Sequence, residues 1–434
     1  MSGAQIGCNA WSILRDIHDY AGAIAGGKRK VMKYRGGQVA CDFLDHLLAR
    51  GMSEGRVSTY AIKLRTVMKM LDETGIEAST ATRTEVEKVM ALINQGTYTP
   101  AGETPRRYKP TTKAALAITL KMLVKYAQTG RTDREAAYPS AVAWIKPKVK
   151  EGETRATPDK LLHEKDFLNL VSHARNPRDR ALVYVTYEGA FRPGEVLTMK
   201  VGDVQFNEKY LTATAYGKTG QKVIPLVVSM GPLMDWLALH PRKDDPSAPL
   251  WFSLSRRDYG RQLSYQYFRL MLKRMARDSG FKGDLWAYLL RHTRLTAMAD
   301  KLTEIRLDQF AGWKLGSPMA SRYVHWSGRD LTPAVLSVYG IKTEEQAKES
   351  LLKPQTCPRC KRLGIEIALA PDLKRCPKCG LILDPVLAAK TEAHKMKETE
   401  DLRKRIEKLE SQYGDLQGRG GRREGPSSPR QGTS

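Results

Sequence analysis

The chain has 434 residues, with 72 Lys and Arg against 47 Asp and Glu and a formal net charge of +25. That length supports two or three domains with cores of their own, and that charge suits a polyanionic partner, nucleic acid ahead of an anionic membrane surface. No run of about 20 apolar residues is present, which argues against a membrane-spanning helix. Residues 1–30 carry acidic groups and no signal-peptide core, so a cytoplasmic protein is expected.

Residues 1–30 read as an N-terminal helical segment. From 31 to 150 the pattern is helical: "RVSTYAIKLRTVMKMLDETG", "TRTEVEKVMALINQG" and "KPTTKAALAITLKMLVKYAQTG" place apolar residues at helical spacing and end in glycine. The intervening "TYTPAGETPRRYKP" is polar and proline-rich, a loop, and "IKPKVKEGETRATPDK" reads as an interdomain linker. A second domain is expected over 157–345. Helical stretches "HEKDFLNLVSHA" and "DRALVYVTYEGA" lead into "FRPGEVLTMKVGDVQF". A β-hairpin then runs from "YLTATAY" through the turn "GKTG" to "KVIPLVV". Further helices follow, among them "LWAYLLRHTRLTAMADK", "LTEIRLDQFAGW" and "PAVLSVYG". The fold class is therefore mainly α with a small antiparallel β-sheet. Residues 354–384 hold paired cysteines, and 385–434 read as a charged helix, with too few leucines for a coiled coil, followed by a disordered basic tail.

The segment "WKLGSPMASRYVHW" raises the chemical question. Ser317-Pro318 is a helix start, and Tyr323 follows beside Arg322 and His325. Packing would account for a tyrosine there; so would nucleophilic attack. A protonated phenol is a weak nucleophile, and a phosphodiester held by several cations would both favour the phenolate and stabilise the transition state. Three segments offer such cations. Arg192 in "FRPGEV" has Glu195 one helical turn on to orient it. Arg291 shares a face with Tyr288 in "AYLLRHTRLTAMA". Lys218 stands at the hairpin tip, with Lys222 as the fallback. His292, one position round the helix from Arg291, reads as a packing or capping residue. Trp313 could donate its indole N–H to a phosphate oxygen, although core packing explains an isolated tryptophan as well.

In this order, Arg192 with Glu195, the hairpin Lys218, Tyr288-x-x-Arg291, Trp313 and Tyr323 resemble the tyrosine recombinases, the phage integrase family. The resemblance covers about Leu161 to Gly340, and the helical region before it resembles the family's core-binding domain. One departure stands out: Tyr288 occupies a position where the family usually has His or Lys. Some archaeal integrases look like this too. A phenol is too weakly basic near neutrality to be the general base, so the group that takes the Tyr323 proton is left unassigned. The resemblance implies a site-specific recombinase or integrase acting on double-stranded DNA. Tyr323 would form a 3′-phosphotyrosine bond, Arg192 and Arg291 would clamp the non-bridging oxygens, and Lys218 would protonate the leaving 5′ oxygen. Neither ATP nor a catalytic metal is required. Four protomers would assemble on two duplexes, each closing its two domains round DNA as a clamp, on the nucleoid. A type IB topoisomerase-like activity and a catalytically silent DNA-binding protein are the alternatives.

Cys357, Cys360, Cys376 and Cys379 are spaced Cys-x2-Cys-x15-Cys-x2-Cys. Four thiolates close a tetrahedral Zn²⁺ site and leave no open position, so a structural zinc ribbon is expected rather than a zinc nuclease or a redox pair. Cys8 and Cys41 stand alone and read as free thiols. The polar "KTEEQAKESLLKP" looks like a linker, from which the ribbon would be separable from the chemistry.

Overall fold

The computed structural model describes residues 17–98, 106–147, 157–217, 220–327, 339–340 and 350–420. Among the described residues, five long helices build most of the N-terminal unit: α1 (Tyr20–Val31), α2 (Gly37–Ala49), α3 (Glu54–Glu73), α4 (Arg83–Gln95) and α5 (Pro110–Thr129). Their ends follow from local chemistry. Asp19 accepts from the Gly22 amide at 2.8 Å, Thr82 and Glu85 form a reciprocal capping box, and Pro110 opens α5, where a missing N–H costs nothing. Ile24, Phe43, Leu44, Val57, Leu64, Leu120 and Leu123 form a shared apolar core. α1 and α3 approach closely because Gly27 faces Ala61; a Cβ at 27 would stand 2.7 Å from the Ala61 methyl. α1 packs on α3 as one body, so the break expected at residue 30 falls inside a helix rather than between units. The expected loop between α4 and α5 begins and ends in a two-residue antiparallel pairing, Thr97–Tyr98 with Arg106–Arg107.

The second unit winds round α7 (Pro177–Glu188), which follows α6 (Glu164–Ser172). Asn176 caps α7 by accepting from the Asp179 amide at 2.9 Å. Every residue from Ala181 to Glu188 is buried, as expected of a helix that is apolar nearly all round. After α8 (Pro193–Leu197) come β1 (Val204–Phe206), β2 (Leu211–Gly217) and β3 (Gly220–Leu226), an antiparallel meander in the order β1-β2-β3. The register pairs Leu211 with Leu226, Ala213 with Ile224 and Ala215 with Lys222. Strand alternation turns all six of these residues to the buried face. Lys222 therefore points inward. α9 (Met230–Ala238), α10 (Tyr265–Asp278), α11 (Ala287–Ala299), α12 (Glu304–Ala311) and α13 (Met319–Ser327) complete the unit. The architecture is mainly helical with a small antiparallel sheet, as the sequence leads one to expect. The hairpin tip, Lys218 included, and most of "PAVLSVYG" lie outside the described residues.

The cysteine segment is not a free appendage. Its short strands, β4 (Gln355–Thr356) and β5 (Ala368–Leu369), pair antiparallel. Leu352, Ile367, Leu369 and Leu373 are buried in the same cluster as Met230, Leu233 and Tyr184. The Tyr184 hydroxyl donates to Asp372, Arg180 pairs with Asp372 at 2.7 Å, and the Leu351 amide donates to Glu164 at 2.7 Å. The expected separability does not follow from this packing: the ribbon and the α7–α9 face share one core. α14 (Pro385–Gly420) then extends the chain, with Leu402, Ile406 and Leu409 exposed. The tail expected to be disordered lies, from residue 421 on, outside the described residues.

Candidate active site

Two helix C-termini point at one place. The last carbonyls of a helix lack intrahelical donors and carry the negative end of its dipole. At the end of α7, Ala190 O accepts from Arg291 Nη1 at 2.5 Å and Gly189 O from Lys222 Nζ at 3.3 Å. At the end of α12, Ala311 O accepts from Arg291 Nη2 at 2.8 Å and Phe310 O from Lys222 at 3.5 Å. Arg291 and Lys222 are thus held inside the protein by carbonyl dipoles. Ala190 adopts φ +46°, the single positive φ of a non-glycine among the described residues. Such a residue is strained by about 1–3 kcal/mol, and its carbonyl is one of those that hold Arg291.

Glu195 sits among the cations. Its carboxylate lies 2.5 Å from Arg192 Nη1, 3.4 Å from Lys222 Nζ and 3.9 Å from Arg291 Nη1. It also accepts from the Arg192 amide at 2.9 Å, because Arg192 precedes the first turn of α8. Burial by itself would raise the Glu195 pKa; Lys222, Arg192, Arg291 and that amide outweigh it and hold the carboxyl below its ordinary value. Burial lowers Lys222 to about 7 against the pull of Glu195, and lowers Arg291 to about 10. Three cationic side chains against one carboxylate leave between one and two positive charges near neutrality, Lys222 being the variable one. The side chain of Arg192 is 23% exposed, whereas those of Lys222, Arg291 and Glu195 are 4–6% exposed. Arg192 is therefore the most open of the three cations. Gly312 ends α12 at φ +66°, and a Cβ there would stand 3.1 Å from Lys222 Cδ and 3.8 Å from Arg192 Nη1.

Tyr323 lies beside this cluster on α13. Asp308 accepts from the Gly316 and Ser317 amides at 2.9 and 3.2 Å and so fixes the entry to α13. The Tyr323 ring is buried, stacked on Trp313 at 5.4 Å between centroids and on His292 at 5.9 Å, with Trp326 edge-on at 5.4 Å. Arg291 lies 5.6 Å from the Trp313 ring. Tyr323 Oη and His292 Nδ1 are hydrogen-bonded at 2.7 Å. Burial pushes the Tyr323 phenol up, while Arg291, Arg322 and Arg192 oppose that shift.

Arg192, Glu195, Arg291, Trp313 and Tyr323 thus converge from three helices, α8, α11 and α13, and the loop after α12. Tyr288 stands one turn before Arg291; the residue is 41% exposed, and its ring lies 6.4 Å from that of His292. Trp313 packs against Tyr323 and makes no described hydrogen bond to a side chain of the cluster. The structure gives two residues more weight than their local sequence does. Lys222 stands second to the tip lysine in the sequence, although the alternation of Lys222, Ile224 and Leu226 sends it inward. His292 reads locally as a capping or packing residue, and no local pattern links it to a tyrosine 31 residues away.

Residues 160–328 match the family model described as the phage integrase family. A tyrosine recombinase of Synechococcus elongatus is 35% identical over 130 residues, 29% of this chain and 40% of that protein. One from a Synechocystis species is 27% identical over 191 residues, 44% and 59% of the two chains. The tyrosine recombinase XerA of Pyrococcus horikoshii is 27% identical over 241 residues, 53% of this chain and 81% of that one. A XerH site-specific recombinase bound to palindromic difH substrate superposes with a TM-score of 0.49 at 16% identity, covering 77% of this chain and 98% of the other. Residues 160–328 are thus the part of this chain that is similar to the phage integrase family, that of the tyrosine recombinases. It spans about half the length of the two cyanobacterial relatives it matches, 40% and 59%. The archaeal XerA match fits the archaeal resemblance of the sequence.

Proposed function

We propose that the protein is a site-specific DNA recombinase that breaks and rejoins DNA through a 3′-phosphotyrosine intermediate. The observation that carries this reading is the cluster of Arg192, Lys222 and Arg291 around one carboxylate, next to the tyrosine of the matched domain. Its positive charge suits a phosphodiester monoanion and suits better the dianionic phosphorane formed on attack. Arg192 and Arg291 contact the non-bridging oxygens. Glu195 and the helix-end carbonyls orient them, so that little reorganisation is needed when the anion arrives. Tyr323 is the nucleophile, and it must leave its stacked, buried position or have DNA brought to it. A hairpin lysine, Lys218 or Lys222, protonates the leaving 5′ oxygen. Trp313 supports the Tyr323 ring, and Tyr288 stands at the rim within reach of DNA.

The rest of the chain fits the same reading. The helical unit of α1–α5 is a core-binding domain that closes on DNA opposite the catalytic domain, and strand exchange takes a homotetramer on two duplexes, on the nucleoid. No helix of the described residues is long and apolar enough to cross a membrane. Cys357, Cys360, Cys376 and Cys379 would hold a structural Zn²⁺. Their sulfurs all lie within 4.8 Å of one another, with Cys357–Cys379 at 3.4 Å and Cys360–Cys376 at 3.7 Å. Thiolates about 2.3 Å from a tetrahedral zinc stand about 3.8 Å apart, so the set fits. The metal would cross-link the ribbon that packs on α9.

The test is incubation with DNA from the sequence flanking the protein's own gene, followed by a search for a covalent protein–DNA adduct. Tyr323→Phe should bind DNA with unchanged affinity and form no adduct; Tyr288→Phe should still form it. An adduct that persists in Tyr323→Phe and vanishes in Tyr288→Phe overturns the assignment.

A further inference from the structure

The attack needs a group to take the phenolic proton, and the family resemblance does not supply one here, because Tyr288 replaces the usual His or Lys. We propose that His292 is a further catalytic residue, whose Nδ1 accepts the Tyr323 hydrogen bond and takes its proton as Oη attacks phosphorus. The inference rests on the recombinase reading and deepens it.

The geometry is direct. Nδ1 stands 2.7 Å from Oη, and the two rings are nearly parallel, 21° apart. The rings and cations that act on Tyr323 are Arg291 and His292 on α11, Arg322 and Trp326 on α13, Arg192 before α8, and Trp313. Arginine has no acceptor, and an indole nitrogen only donates. Of these groups the imidazole alone has a lone pair for a proton. Glu195, the carboxylate of the site, is committed to three cations. His292 is also in the right state. Burial, then Arg291 and Arg322, lower it to about 4, so near neutrality the ring is uncharged and its Nδ1 can accept while Nε2 carries the hydrogen. A DNA phosphate entering the site brings charge opposite to that of the two arginines, and so raises the basicity of the ring at the moment of attack.

The step balances. The Oη–P bond forms and the P–O5′ bond breaks; the phenolic proton goes to Nδ1, and the O5′ takes its proton from the hairpin lysine. On rejoining, the incoming 5′ hydroxyl gives its proton back to that lysine, and His292 returns its own to Oη.

The experiment is single-turnover cleavage, from pH 6 to 10 and at saturating DNA, of the duplex on which the parental protein forms its adduct. His292→Ala and His292→Asn are compared with His325→Asn, a change on the exposed side of α13 expected to leave the rate unaltered. General-base loss typically costs about a hundred- to ten-thousandfold. His292→Ala should fall in that range near pH 7, recover with added imidazole, and climb about tenfold per pH unit as hydroxide takes over. His292→Asn keeps an acceptor near the Nδ1 position without its basicity, and should be about as slow. Asn at near the parental rate would show that the ring only orients Tyr323 and would overturn the proposal, as would an Ala variant that stays slow at every pH and with imidazole. A parental protein that forms no Tyr323-dependent adduct on any flanking DNA removes the recombinase reading itself, and His292 with it. An adduct made by the parent but lost selectively in the histidine variants separates the two.

Discussion

Glu195 shows how individual residues set the charge of the site. It is buried between three cations, and removing the charge from one member of a buried network leaves the others uncompensated, at a cost of about 3–5 kcal/mol. Glu195→Gln should therefore lower thermal stability markedly, read as a fall in the melting temperature, and should slow cleavage by releasing Arg192. Lys222 makes a prediction about pH. Its folded pKa is depressed from the ordinary 10.5 to about 7. Between those values the unfolded chain binds more protons than the folded one, so stability rises with pH across that window. Below about 7 both states carry the proton and the slope vanishes. Lys222→Met should abolish this rise. Melting curves of both proteins from pH 6 to 10 check it, and parallel pH profiles would contradict the burial of a titrating lysine. For the arginines, Arg291→Ala should lower cleavage at saturating DNA by about a hundred- to a thousandfold. Arg291→Lys should do little better, since a point charge cannot bond the Ala190 and Ala311 carbonyls and a phosphate at once.

At the scale of elements, what positions the site is the meeting of the α7 and α12 C-termini. Gly312 allows the second of them to close against Lys222. Gly312→Ala adds a Cβ at φ +66° and 3.1 Å from Lys222 Cδ. The left-handed conformation alone costs about 1–2 kcal/mol for a residue with a side chain, so this variant should melt lower and cleave more slowly; an unchanged melting point would contradict the packing. The ribbon gives the second prediction at this scale. Cutting after Lys353 would expose Met230 and Leu233 and remove Asp372, the hydrogen-bond partner of the buried Tyr184. The truncated protein should therefore be destabilised or insoluble rather than a free-standing catalytic domain. Metal analysis should find about one zinc per chain, and chelation should lower the melting temperature of the intact chain.

Legibility follows the range of each contact. Arg192 and Glu195 are three residues apart on one turn, and a hairpin is written in alternation and turn residues, so both could be read locally. The Tyr323 segment could be placed because its helix start and its order after Arg291 are sequence features. The partners of Tyr323 and Lys222 could not. The His292 bond spans 31 residues and the Tyr184–Asp372 bond 188, and each depends on how helices cross rather than on any local period. The ribbon's spacing announced four thiolates but not the core into which they are built.

For the whole molecule, the net charge of +25 bears on binding more than on chemistry. Lys and Arg contacts to phosphate release counterions, so log affinity should fall linearly with log salt, and removing one arginine should change that slope by about one unit. The central claim, that a tyrosine beside a carboxylate-centred cation cluster attacks DNA, is tested most directly by locating the bond. The covalent adduct is digested with nuclease and protease, and the peptide that retains a nucleotide is sequenced by mass spectrometry. The account predicts a nucleotide on Tyr323, in the peptide that begins after Arg322. A nucleotide on Tyr288, or on any residue other than Tyr323, would contradict it.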